Sequence, residues 1–207
     1  MLIRCSSLPK IMTAPKNKSE VLSETAKSYI KQIAKEDFFG YESYLDNKYV
    51  QKGIEDENES IELYNSVFFT SYEKNTERIN NDFLTGEADI VGDNVIIDIK
   101  SSWSLDTFPA TEKDINLKDY EMQLRGYMML YDKQHAEIAY CMVSTPYESC
   151  KYENQQMHEV DHIDPRYRVT TIQIKRDLEI EKEIEEKCKH AIQFYSNYIK
   201  ELECKNV

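Results

Sequence analysis

The chain has 207 residues, 41% of them apolar and 31% charged, with 15 Tyr but only 5 Gly and 5 Pro. That balance suits a single folded domain spanning residues 1–207 and excludes collagen-like, low-complexity and linker-rich sequences. The net charge of −12 argues against a broad basic surface for nucleic acid, although one local basic site is compatible with it.

Apolar stretches are too short to span a bilayer, and the opening MLIRCSSLPK lacks the apolar core of a secretory signal. The first helix is predicted over Ser19–Ala34, with Leu22, Ala26, Tyr29, Ile30 and Ile33 at helical spacing. Ser19 or Ser23 can cap it, and Phe38-Phe39-Gly40 ends it. A second helix is expected from about Asn47 to Phe69, with Val50, Ile54, Ile61, Tyr64 and Phe68 on its apolar face. Two strands follow, Phe83–Val91 and Val95–Lys100, joined at Gly92-Asp93-Asn94. A helix over Leu117–Asp132 and a strand over Ala136–Val143 come next. Residues 144–166 read as a polar excursion, Tyr167–Ile174 as a strand and Leu178–Leu202 as a long amphipathic helix. The order predicts an α/β domain whose central mixed sheet is flanked by helices.

Five cysteines, Cys5, Cys141, Cys150, Cys188 and Cys204, are odd in number and widely spaced. They are expected to be reduced thiols of a cytoplasmic protein.

The chemistry concentrates between Thr85 and Lys100. Alternation along the second strand puts Ile96, Asp98 and Lys100 on one face and Val95, Ile97 and Ile99 on the other. A carboxylate and an ammonium on a largely aliphatic strand need partners. A two-residue turn at Gly92-Asp93 would set Asp89 diagonal to Asp98 and Glu87 directly opposite it. Carboxylates held this close repel unless a cation lies between them, and an all-oxygen site suits Mg²⁺ or Mn²⁺. Glu57 shares the apolar stripe of the second helix, and Gly53 one turn earlier leaves room for close backbone approach. The blander reading is an edge-strand ion pair, a turn residue and the end of a helix face. His158-Glu-Val-Asp-His162 matches the H-E-x-x-H zinc pattern, but Pro165 and a weakly apolar context favour a loop.

Gly86-x-x-Asp89 followed by Asp98-x-Lys100 resembles the core of the PD-(D/E)XK nucleases, with Ala88 in place of the usual proline and Asp98 in place of the commoner Glu. Gly53-x-x-x-Glu57 is similar to the first acidic motif of the exonuclease branch. Gln123-Leu-Arg-Gly-Tyr127 is similar to the Q-x-x-x-Y motif of RecB-like and lambda-exonuclease-like members. Ile3-Arg-Cys-Ser-Ser-Leu resembles the Ser-bearing segment that opens the lambda exonuclease core, and Ile174-Lys-Arg-Asp177 with the last helix its close.

This resemblance to the lambda-exonuclease-like (YqaJ-type, RecB-like) branch implies a restriction-endonuclease-like core and a DNA exonuclease. Glu57, Asp89 and Asp98 would hold Mg²⁺, or Mn²⁺ in its place, at a two-metal site. Lys100 would orient or activate water, Gln123 would support it, and Tyr127 would pack behind. Ser6, with Arg4 beside it, would bind a DNA 5′-phosphate. Implied partners are duplex ends digested 5′ to 3′, a single-strand annealing protein and further copies of the chain in a ring-shaped trimer. A RecB-like single-strand or flap nuclease and a non-catalytic DNA-binding protein of the same fold are the alternatives.

Overall fold

In the computed structural model, which describes residues 1–42 and 48–204, the chain opens with β1 (Ile3–Arg4), a 3₁₀ turn and the short helix α1 (Leu8–Ile11). Helix α2 follows at Glu24–Phe39. It starts later than its periodicity suggests because Ser23, not Ser19, is the cap: the Ser23 hydroxyl accepts the Ala26 N–H at 3.0 Å. Gly40 ends it in the left-handed region at φ 67°.

The helix expected from Asn47 to Phe69 is two helices, α3 (Lys48–Glu55) and α4 (Glu57–Phe68); Asn47 lies outside the described residues. The break is at Asp56, whose φ of −94° and ψ of 3° depart from helical geometry. Its buried carboxylate pairs with buried Lys52, which also donates to the Val143 carbonyl at 3.2 Å. The bend divides the predicted apolar stripe. Ile61 and Tyr64 are buried, whereas Val50 is 51% and Ile54 69% exposed.

The strand predicted over Phe83–Val91 is also divided. With β2 (Ile79–Asn80) and β3 (Leu84–Gly86), β1 forms a small sheet in the order β1-β3-β2. The chain then crosses to a second sheet, β4-β5-β6-β7, built from Ile90–Val91, Val95–Ser101, His135–Cys141 and Val169–Lys175. At the crossing, Asn75 N–H donates to the Asp89 carbonyl at 2.8 Å and its side-chain amide to the Ala88 carbonyl at 2.9 Å. A side segment thus satisfies the backbone that a continuous ladder would have used. β5 and β6 run parallel, and the other pairs in this sheet are antiparallel.

Helix α5 (Glu121–Tyr131) covers one face of the larger sheet and α4 the other. Ile96, Ala136 and Ile138 meet Leu124, Tyr127 and Met128 on the α5 side. Ile97, Ile99, Ala139 and Cys141 meet Ile61, Leu63 and Tyr64 on the α4 side. Each large aliphatic side chain buried here contributes ~1.5–3 kcal/mol. Residues 144–166 carry the short helix α6 (Tyr147–Cys150) and two 3₁₀ turns. The closing helix α7 (Leu178–Cys204) joins α2 and the N-terminal segment in a third cluster that includes Ile3, Leu8, Ile11, Ile30, Ile184 and Ala191.

Candidate active site

Strand β5 delivers Asp98 and Lys100 to the face covered by α5. Asp98 is 1% exposed. The hairpin register pairs Ile90 with Ile97 and Val91 with Ile96, and Gly92 N–H donates to the Val95 carbonyl. The ladder stops at Ile90, and the next residue, Asp89, comes close enough to Asp98 for their charges to act on one another, where Glu87 was expected opposite Asp98. The turn is centred on Asp93-Asn94, one position later than anticipated, so the register moves by two residues and every side chain keeps its face.

Asp89 Oδ2 accepts the Ile99 N–H at 2.7 Å. Burial, and next the charge of Asp98, push the Asp89 carboxyl up to about 7; Lys100 and the Ile99 N–H act in the opposite sense. Asp98 Oδ1 accepts from Gln123 Nε2 at 2.9 Å, and Gln123 Nε2 also reaches the Tyr127 hydroxyl at 3.2 Å. Gln123 therefore contacts the Asp98 carboxylate; the resemblance implies support for Lys100 or the nucleophilic water. Burial, with the Asp98 charge next, pushes the Tyr127 hydroxyl up, so it stays protonated.

Lys100 Nζ lies 2.5 Å from the buried Asp98 Oδ2, a close ion pair. Burial favours the neutral amine at Lys100. Asp98 and Asp89 outweigh it and hold the ammonium above its ordinary range. The Lys100 ammonium also sits 5.4 Å from the Tyr120 ring centroid. Sequence reasoning did not single out Tyr120, which stands at the N-cap of α5, three residues before Gln123.

Glu57 opens α4 and gives its Oε2 to Lys74 Nζ at 2.5 Å. It is close enough to Asp89 to add to the charge that raises that carboxyl. Among the described residues, no three His, Cys, Asp or Glu side chains converge into a ready-made metal cage. The Asp89–Asp98 pair nevertheless fits a hard divalent cation. Both carboxylates are oxygen donors, they repel one another, and a single lysine, Lys100, answers both. Gly53 does not serve a close backbone approach, because the space where its Cβ would stand is open.

Arg4 and Ser6, both exposed, line a cleft of about 510 Å³ with Arg78, Thr85, Glu87 and Tyr127. Tyr127 is shared between this cleft and the carboxylate site. Arg78, which nothing in the sequence pattern marked, pairs with Glu87 at 3.2 Å. A Cβ on Gly126 would fall 2.5 Å from Leu8 Cδ1, and one on Gly86 2.9 Å from Cys5 Sγ. These two glycines let α5 and β3 close against the N-terminal segment that carries Ser6.

The H-E-x-x-H match is not on a helix. His158 is buried, with Nδ1 3.1 Å from the Trp103 carbonyl and Nε2 3.2 Å from Glu153, while His162 is exposed. Its ring braces the 144–166 excursion against the loop that follows β5.

Neither a protein-family profile nor a curated protein matches the sequence. Solved structures do. A phage-related exonuclease from Haemophilus somnus 129PT superposes with a TM-score of 0.91 at 36% identity, covering 98% of this chain and 96% of that one. LHK-Exo, an alkaline exonuclease from Laribacter hongkongensis, superposes with a TM-score of 0.73 at 16% identity over 99% of this chain and 93% of its own. LHK-Exo in complex with dAMP gives a TM-score of 0.71 at 15% identity, with the same coverage. At that identity, LHK-Exo supports the fold alone.

Proposed function

This chain belongs to the lambda-exonuclease-like, phage-related branch of the PD-(D/E)XK nucleases, and from that premise we propose that it is a Mg²⁺-dependent DNA exonuclease acting at duplex ends. The observation that carries the reading is the buried Asp98, flanked by Asp89, Lys100 and Gln123 on one sheet face. The phage-related exonuclease from Haemophilus somnus, at 36% identity, supports exonuclease activity for this chain.

Each residue has a part set by its contacts. Asp89 and Asp98, with Glu57 turning in from α4, would hold Mg²⁺ or Mn²⁺. When bound, a divalent ion supplies the positive charge that activates water and stabilises the leaving oxygen. Lys100 remains an ammonium and is placed to orient water and neutralise a non-bridging phosphate oxygen. Gln123 fixes the Asp98 carboxylate, and the protonated Tyr127 hydroxyl fixes Gln123. The Ile99 N–H fixes Asp89. Arg4 and Ser6 face the adjoining cleft, where a terminal phosphate, more highly charged than an internal one, would be selected. That selection favours digestion from 5′ ends in recombination-type DNA processing, beside an annealing protein and in a homotrimer, as in the family.

The test is end-labelled duplex and single-stranded DNA, with 5′-phosphate or 5′-hydroxyl ends, incubated with Mg²⁺ or with EDTA. We expect Mg²⁺-dependent release of nucleotides from 5′-phosphorylated duplex. Digestion confined to single strands would replace this reading with a RecB-like one. Binding without any cleavage would replace it with a non-catalytic role.

A further inference from the structure

Lys74 lies in the extended stretch between α4 and β2, and its neighbour Asn75 is fastened to the backbone of Ala88 and Asp89. Asn75 also donates to the Glu77 carbonyl and to the Tyr131 hydroxyl. The backbone that carries Lys74 is therefore fixed beside the acidic site, independently of the lysine's own contacts. From there Lys74 Nζ reaches Glu57 Oε2 at 2.5 Å, with Lys74 38% and Glu57 17% exposed. Its ammonium is held above the ordinary range by Glu57 first, against desolvation, and then by Asp89 and Glu87.

Charge makes this placement consequential. Glu57, Asp89 and Asp98 are acidic, and Lys100 answers Asp98. Lys74 answers Glu57 with one positive charge and an ammonium that imposes little geometry. A divalent cation brings twice the charge and demands oxygen ligands, so it must draw on the same carboxylate. Lys74, 38% exposed even when paired, would then be free to meet a phosphate of bound DNA.

We propose that Lys74 competes with the divalent cation for Glu57 and, when displaced, contacts a DNA phosphate, so that metal binding and DNA binding reinforce one another through one side chain. The inference rests on the preceding assignment of Glu57, Asp89 and Asp98 to the metal.

The natural chain, Lys74→Met and Lys74→Arg test it, with Lys74→Met repeated in a Glu57→Gln background. Mn²⁺ binding is read by electron paramagnetic resonance of the free ion, without DNA. Removing a competing charge at a partly exposed ion pair should tighten Mn²⁺ binding about 3- to 10-fold in Lys74→Met. Lys74→Arg keeps the charge and should stay within about twofold. In a Glu57→Gln background, Lys74→Met should lose most of its effect, because the two residues act on one another. Duplex binding in Ca²⁺ should weaken in Lys74→Met. Its slope of log affinity against log salt should become shallower by about 0.9, the share of one phosphate contact. Equal or weaker Mn²⁺ binding by Lys74→Met overturns the competition, since a lysine that merely ties its segment to α4 would give that result. An unchanged salt slope overturns the phosphate contact. If the natural chain binds no Mn²⁺, the metal-site assignment fails and this inference fails with it; if the natural chain binds Mn²⁺ and only the variant disappoints, the assignment stands.

Discussion

Lysine–aspartate pairs lie at two places that matter for the site, the bend between α3 and α4 and the far end of β5. At the bend, Lys52 and Asp56 are both buried, and Lys52 also donates to the Val143 carbonyl. At the end of β5, Asp98 is as deeply buried, but a second carboxylate, Asp89, lies beside it and feels its charge. Lys100, 27% exposed, meets Asp98 Oδ2 at 2.5 Å. The first pair balances one charge with one, whereas the second shares a single lysine between two carboxylates. A buried pair of opposite charges is thus no indication of function by itself. What separates the two is whether the surrounding groups complete the pair or leave it wanting a further cation.

That contrast can be broken by mutation. Lys100→Ala should lower the cleavage rate by at least ~10²-fold, the scale of one positioned electrostatic group. Its Mn²⁺ affinity should be kept or tightened, because a positive charge beside Asp98 is gone, and its melting temperature in Mn²⁺ should stay near that of the natural chain, as single-turnover kinetics, metal titration and thermal melts will show. Asp56→Ala should do the reverse. Leaving Lys52 buried without its partner should cost ~3–5 kcal/mol of stability in urea unfolding, while the folded fraction keeps its cleavage rate. Equal stability losses in the two variants would erase the distinction.

A subtler effect concerns pH. Asp89 binds its proton more tightly in the folded chain than in the unfolded one, where an ordinary Asp titrates near ~4. Its contribution to stability is therefore full below that pH and lost as pH rises through about 7. In EDTA, the melting temperature should drift down across this interval. Asp89→Asn should flatten the drift, and a slope unchanged by that substitution would assign it to other groups.

The elements with strong periodicity were legible in the sequence. The two faces of β5, the amphipathic α7 and the Gln123-to-Tyr127 face of α5 all follow from side-chain spacing and reappear in the packing. Spacing could not show where a periodic run is interrupted. Helices α3 and α4 read as one because Asp56 breaks the backbone without a glycine or proline to announce it. The strand over Phe83–Val91 read as one because its transfer between sheets is paid for by Asn75, a residue remote from the motif. The same blindness hid Lys74, Arg78 and Tyr120. Each reaches the site or its adjoining cleft through space from a segment whose local pattern is unremarkable.

The pairing of β1 with β3 has a consequence for how the enzyme comes into being. Ile3 and Arg4 find their strand partners at Leu84 and Thr85, and the carbonyls of Met12 and Thr13 wait for the ammonium of Lys187. The segment that carries Ser6 is thus anchored by residues remote in sequence, the farthest of them 175 positions away. Contacts so distant slow the closure of this part of the fold. The cleft beside Tyr127 is consequently completed only once these non-local contacts have formed.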